Sequence, residues 1–331
     1  METKLKKRNF IKQLLCSAAL ASSALGMTAI AHAQNWPTKP IRIVLQFPPG
    51  GSTDVVARIL AQALTTKLGQ TVIIENKPGA DGAIAAEYVL RSEPDGHTYF
   101  LASNTPMMQV PLLKKNPPYN PVTSFTPITL VGRYIYVLVA SPTIPVKTAA
   151  ELITYAKNNP GKLNYGSYSS VTQLMYSSIR DQAKVDMNMV NYKGEGPTVN
   201  DILGGHIQLT FSTPTSTLAH INDGKLRALA VVLPERVPYM PDVPTIAEAG
   251  LPPLKPATFA ALYGPAKVPS EIATKMSEAL KEVMNRPEIR EKVEKQGLKL
   301  EGSTPEWLGN FTKEQLGIWG KAFDEAGMKP E

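Results

Sequence analysis

At 331 residues, 43% apolar and 19% charged, the chain can bury a sizeable core and sits at the size where one core divides, so two lobes are expected. Its formal net charge of +7 falls to a mild positive balance once a basic N-terminal segment is set aside, which gives no basis for nucleic-acid binding. The single cysteine, Cys16, lies in that same segment, which excludes a disulfide framework and thiol chemistry in the remainder.

Residues 1–33 read as a secretory signal peptide. Lys4, Lys6, Lys7, Arg8 and Lys12 form a basic start, an apolar stretch covers 14–30, and Ala31-His32-Ala33 is a small-residue cleavage site ahead of Gln34. The run Lys7-Arg8-Asn9-Phe10-Ile11-Lys12 also resembles a twin-arginine signal with lysine in first place, which leaves the export route open. Leu15 ahead of Cys16 argues against lipid attachment, and no later stretch approaches the roughly 18 apolar residues of a membrane span. The chain is expected to be exported.

The mature chain opens on a strand at 41–45, a glycine turn through Phe47, Gly50 and Gly51, and a helix over 54–68 that Ser52 or Thr53 can cap. A strand at 71–75, a second glycine turn over 76–82, a helix over 83–90 and a strand at 98–102 follow; this alternation implies a parallel sheet with right-handed crossovers. The proline-rich stretch 107–127 reads as an ordered loop. A β-type run at 134–140 is placed to carry the chain into the second lobe.

In that lobe Thr148 and Glu151 form a capping box, a strand covers 163–166, and the hydroxyl-rich turn 167–173 feeds a helix to 183. Gly194-Glu195-Gly196-Pro197 starts another helix, ended by Gly204-Gly205. Strands at 207–211 and 226–232 flank a helix stopped by Gly224, and Thr245 with Glu248 forms a further capping box. A second β-type run at 258–263 is placed to return the chain, and helices over 270–284, 287–296 and 305–326 close it.

Reactive constellations are missing. No P-loop ending and no G-x-G-x-x-G follows any strand, and His97, His206 and His220 have no partner at metal-ligand spacing, so no cofactor and no metal are expected. Ser167, Ser169 and Ser170 lack a nucleophile elbow and an activating lysine, which makes them hydrogen-bond donors rather than nucleophiles. Asp54 could serve as a general base, but an acid in the first turn of its helix reads rather as a loop-shaping group. An exported, two-lobed α/β protein with polar helix N-termini in both lobes fits a non-enzymatic receptor that closes on an anion.

The motifs Trp36-Pro37-Thr38-Lys39-Pro40-Ile41-Arg42, Phe47-Pro48-Pro49-Gly50-Gly51-Ser52-Thr53-Asp54, Asn76-Lys77-Pro78-Gly79-Ala80, Tyr192-Lys193-Gly194, Leu203-Gly204-Gly205 and Pro241-Asp242-Val243-Pro244-Thr245 resemble the Bug family. These are the extracytoplasmic receptors of tripartite tricarboxylate transporters. The resemblance implies the type II periplasmic-binding-protein fold: two α/β lobes joined by a two-strand hinge, with the ligand cleft between them. Residues 34–136 and 257–331 would form lobe 1, residues 137–256 lobe 2, and the runs at 134–140 and 258–263 the crossings. It also implies a small carboxylate ligand, membrane carrier subunits as partners, and no nucleic acid; a monomer is expected. An alternative of the same fold is a receptor feeding a sensor kinase, and a third is an exported enzyme acting on a carboxylate.

Carried over by position, the ligand residues are Phe47, Gly50, Gly51, Ser52, Thr53 and Asp54 in one lobe and Ser167, Tyr168, Ser169, Ser170 and Thr172 in the other, with Asn104 and Thr105 lining a third loop. Ser169 and Thr172 are expected to donate to ligand rather than cap a helix. Where the family usually shows Asp-Asn after the strand at 207–211, this chain has Ser212-Thr213, which removes a negative charge beside the site. Met107, Met108 and Val110 replace polar neighbours. Both departures point to a dicarboxylate, with room for an aromatic body; the alternative is that these side chains merely repack around a common small-acid site.

Overall fold

The computed structural model describes residues 36–251 and 256–330; the signal-peptide segment lies outside them. Two mixed sheets carry the chain. The first has the order β11-β4-β10-β3-β1-β2 and the second β7-β6-β8-β5-β9.

In the first sheet β1 (Ile41–Leu45), β2 (Val72–Asn76) and β3 (Thr98–Ser103) run parallel, with Ile43 level with both Ile74 and Tyr99. β10 (Phe259–Pro265) inserts antiparallel between β3 and β4 (Phe125–Tyr134), and β11 (Leu298–Leu300) closes the edge. All seven residues of β10 are buried, as a central strand covered by helices requires. The covering helices are α1 (Ser52–Leu68), α2 (Ala83–Leu90), the short α3 (Val110–Leu113) and three from the C-terminal part of the chain. Those three are α8 (Ser270–Met284), α9 (Pro287–Glu294) and α10 (Pro305–Glu325), separated in sequence from the others by the second sheet.

The second sheet holds β5 (Val137–Ala140), β6 (Asn164–Ser167), β7 (Asn188–Asn191), β8 (Leu209–Ser212) and β9 (Arg227–Val231). β6 pairs parallel with β7 and β8, while β5 is antiparallel to β8 and β9. Between these strands run α4 (Ala149–Asn158), α5 (Ser170–Ala183), α6 (Glu195–Leu203) and α7 (Pro214–Asn222).

Three expectations change. The β-type run at 134–140 is two strands in different sheets: β4 ends at Tyr134, and Ile135 and Tyr136 carry the chain across. Of the run at 258–263, residues 259–263 lie in the first sheet as part of β10, and the outward crossing is instead met just after β9, where Val232 N donates to Tyr136 O at 2.8 Å. β4 itself begins inside the stretch read as loop. It tolerates Pro127 because its register with β10 slips there, Tyr263 facing Pro127 and Leu262 facing Thr129, so the missing N–H falls at a bulge.

Shorter features differ for local reasons. The Thr245–Glu248 box forms both reciprocal bonds, at 2.8 and 3.1 Å, yet no helix follows. Gly250, at φ +70°, ends the turn within two residues, leaving no room to propagate. Gly132 on β4 is required by close approach: a Cβ there would sit 2.1 Å from the Lys299 carbonyl of β11.

Candidate functional site

The C-terminal ends of β1, β2 and β3 gather at one edge of the first sheet, and those of β6, β7 and β8 at one edge of the second; in open α/β sheets such edges are where ligands sit. Ile135-Tyr136 joins these edges, since β4 ends beside β11 at the first and β5 begins level with Ser212 at the second.

At the first edge the loop 47–51 is built around Asp54. Its buried carboxylate accepts from Gly50 N at 3.0 Å, Arg58 Nε at 2.9 Å, Arg58 Nη2 at 3.0 Å and Asn76 Nδ2 at 2.9 Å. The Arg58 hydrogen bonds, helped by Gly50 and Asn76 and opposed by burial, hold its pKa down at about 2. Asn76 also donates to the Phe47 carbonyl at 3.0 Å, so one amide ties both ends of the loop. Asp54 therefore braces the loop from within.

Neither Ser52 nor Thr53 caps α1. The N-cap is Gly51, with no side-chain cap bond. Ser52 Oγ instead donates to the Gln296 carbonyl, and Thr53 Oγ1 is hydrogen-bonded to the Tyr134 hydroxyl at 3.1 Å. The backbone N–H groups of Gly51, Ser52 and Thr53 find no acceptor among the described residues. A helix N-terminus left this way attracts an anion.

At the second edge the hydroxyls expected to meet ligand are spent on the loop. Ser169 Oγ accepts from Thr172 N at 3.3 Å, and Thr172 Oγ1 accepts from Tyr168 N and Ser169 N, both at 3.0 Å, forming a capping box. Ser167 Oγ joins Thr172 Oγ1 at 3.1 Å. Thr172 is fully buried, and Ser169 and Thr172 are caps, against the sequence expectation. What this loop leaves open is the pair of α5 amides at Ser170 and Val171, which have no acceptor among the described residues. Ser170 Oγ reaches Gln109 Oε1 of the facing lobe at 2.5 Å.

The third loop begins at Ser103, whose hydroxyl accepts from buried Gln46 Nε2 at 2.5 Å and from Thr105 N at 3.2 Å. This places Asn104, almost fully buried, and Thr105 at the end of β3. Met107, Met108 and Val110 are buried in the core, as the repacking alternative has them.

Ser212 gives the clearest correction. Glu195, at the start of α6, accepts from Ser212 Oγ and from Thr213 N, both at 2.6 Å, and from Thr213 Oγ1 at 3.2 Å. A carboxylate therefore stands where the sequence reading removed one, supplied from another loop. Tyr136 and Tyr168 crowd beside it: burial, their mutual proximity and the Glu195 charge hold the Tyr168 phenol well above its ordinary range, and burial with Glu195 does the same to Tyr136. Burial pushes Tyr134 up to about 12. The buried Tyr168 hydroxyl faces Glu195 and completes no hydrogen bond among the described residues.

The two edges touch. The Gln296 carbonyl accepts from Thr215 Oγ1 of α7 at 3.0 Å as well as from Ser52 of α1, and Lys299 pairs with Glu235 across the same side. Gly297, at φ +80°, lies so close to α7 that a Cβ would stand 3.3 Å from Pro214 Cδ. Two surface grooves of about 620 and 650 Å³ lie elsewhere, one between α5 and α10 and one lined by Val232, Leu233, Trp307 and Phe311. Among the described residues no cluster of three or more His, Cys, Asp or Glu could hold a metal.

Residues 56–328 match the family model described as tripartite tricarboxylate transporter family receptor. The chain belongs to that receptor family. The receptor is 31% identical to the protein BugT of Bordetella pertussis over 320 residues, covering 96% of this chain and 98% of BugT. Among solved structures it resembles a Rhodopseudomonas palustris protein crystallised with adipate at 30% identity and TM-score 0.78, covering 90% and 100% of the two chains. It also resembles MatC of Rhodopseudomonas palustris with bound malate at 28% identity and TM-score 0.70, covering 87% and 99%. The two-lobed periplasmic-binding fold expected from the motifs is thus the fold of the receptor.

Proposed function

We propose that this receptor is exported to the periplasm, captures a small carboxylate between its two sheets, and delivers it to the membrane carrier subunits of a tripartite tricarboxylate transporter. The lobes taken to close on it are residues 34–136 with 257–331, and 137–256. The observation that carries the reading is the pair of helix N-termini, α1 at Gly51–Thr53 and α5 at Ser170–Val171, whose amides lack acceptors at facing strand ends. Neither helix start carries a reactive side chain, so the arrangement holds an anion without turning it over. A dicarboxylate is the finer reading, and the relatives solved with adipate and with malate support it.

Isothermal titration of the purified mature protein against aliphatic and aromatic mono- and dicarboxylates tests this. The expected result is a Kd near micromolar, about −8 kcal/mol, for at least one of them. Absence of binding tighter than millimolar across the whole panel sinks it.

A further inference from the structure

Glu195 is a carboxylate inside a site otherwise built to attract carboxylates. Its Oε1 is saturated by Ser212 and Thr213 N, but Oε2 accepts only from Thr213 Oγ1 at 3.2 Å, which leaves one lone-pair direction open. Among the described residues no lysine or arginine forms an ion pair with it, so its charge is compensated only by hydrogen bonds and by the first turn of α7. The wall beside it is made of Tyr136 and Tyr168, and the buried Tyr168 hydroxyl faces the Glu195 carboxylate without completing a hydrogen bond among the described residues. A bare carboxylate at this end of a ligand would meet the like charge of the half-buried Glu195, which is unfavourable. A group with a proton to donate would meet an acceptor.

We infer that Glu195 is the specificity-determining acid of the cleft, selecting carboxylates that carry a hydrogen-bond-donating substituent, hydroxyl or ammonium, over unsubstituted ones of the same length. The inference rests on the carboxylate-binding reading above. In this arrangement the α1 and α5 amides hold the ligand carboxylate. Glu195 Oε2 takes the donor at the neighbouring carbon, and the Tyr168 hydroxyl bonds whichever ligand oxygen comes within reach. The phenols keep their protons throughout and act as neutral donors. No bond is made or broken.

The test is titration calorimetry on wild type and Glu195→Gln with succinate, malate and aspartate, which share a carbon skeleton and differ only in hydrogen, hydroxyl or ammonium at one carbon. Wild type is expected to bind malate or aspartate at least about tenfold more tightly than succinate, since only they offer the half-buried, charged acceptor a donor. Glu195→Gln keeps the shape and an acceptor but loses the charge. A preference for ammonium should then collapse, and one for hydroxyl should shrink by a smaller factor, which separates the two donors. Succinate binding within twofold of both others in wild type overturns the inference, as do ratios unchanged in Glu195→Gln. The wild-type ranking decides alone if the variant does not fold. Should the wider panel yield binders that all lack a donor, this inference fails while the carboxylate reading stands; should nothing bind, both fail.

Discussion

Arg58 holds Asp54 one helical turn away through two matched hydrogen bonds, Nε to Oδ2 at 2.9 Å and Nη2 to Oδ1 at 3.0 Å. This fork orients the carboxylate so that its remaining lone pairs meet Gly50 N and Asn76 Nδ2. The loop that presents the α1 amides is thereby fixed before any ligand arrives.

A pH dependence follows from this brace. The folded pKa of Asp54, about 2, lies below its ordinary 3.8, so the ionised form is favoured by folding. Its contribution, about 2 kcal/mol, is fully present above roughly pH 4 and is lost as pH falls towards 2. Denaturant unfolding of wild type and Asp54→Asn should differ by about that amount at pH 7, and the gap should shrink in acid. An equal gap at pH 7 and pH 2 would remove Asp54 from this role.

The anion-holding role proposed for the α1 amides can be isolated at Ser52. Proline suits the first helical position, and Gly51 at ψ 165° accepts a following proline, so Ser52→Pro deletes one N–H with little effect on the helix. Ser52→Ala keeps the amide and loses only the bond to Gln296. Titration calorimetry should show about tenfold or greater weakening for Ser52→Pro, and a clearly smaller effect for Ser52→Ala. Equal effects would mean that the hydroxyl matters and the amide does not.

For the second lobe the expected readout is stability. Thr172→Ala strands the Tyr168 and Ser169 amides and opens the capping box, which should cost about 1–3 kcal/mol in unfolding free energy. Ser169→Ala should cost less, about 1 kcal/mol. A melting temperature unmoved by both changes would return these hydroxyls to the ligand.

Closure is most exposed at Gly297. Its positive φ and its approach to Pro214 both resist a side chain, so Gly297→Ala should weaken ligand affinity several-fold beyond any loss of stability. Small-angle scattering with saturating ligand should then show a larger radius of gyration than wild type. An unchanged radius and affinity would show that the lobes meet without this contact.

The alternation of strand and helix, the glycine turn at Gly50-Gly51 and the capping box of α4 were legible because local spacing and local chemistry govern them. The split of 134–140 into two strands was not, because Tyr134 and Val137 carry the same β propensity; only their partners, Leu298 and Ser212, differ. Met107, Met108 and Val110 were left between ligand and core because an apolar residue in a loop sequence reads the same in either place. Gln46, Gln296 and Glu195 went unnoticed: each acts on residues 57, 81 or more, or 17 positions away, where the sequence offers no periodicity to follow.

By itself, the sequence determined the class of the protein: paired α/β lobes, helices that start on glycine and hydroxyl turns, and the family whose motifs it carries. Local hydrogen bonding and hydrophobic period suffice for that. Only the tertiary structure decided which donors remain for a ligand. Hydroxyls at 167, 169 and 172 satisfy one another once β6 and α5 meet, and Glu195 restores a charge to Ser212 only when α6 is packed against β8. Whether a polar group is spent or available depends on what folding brings within about 3 Å of it, and that is a property of the packed chain.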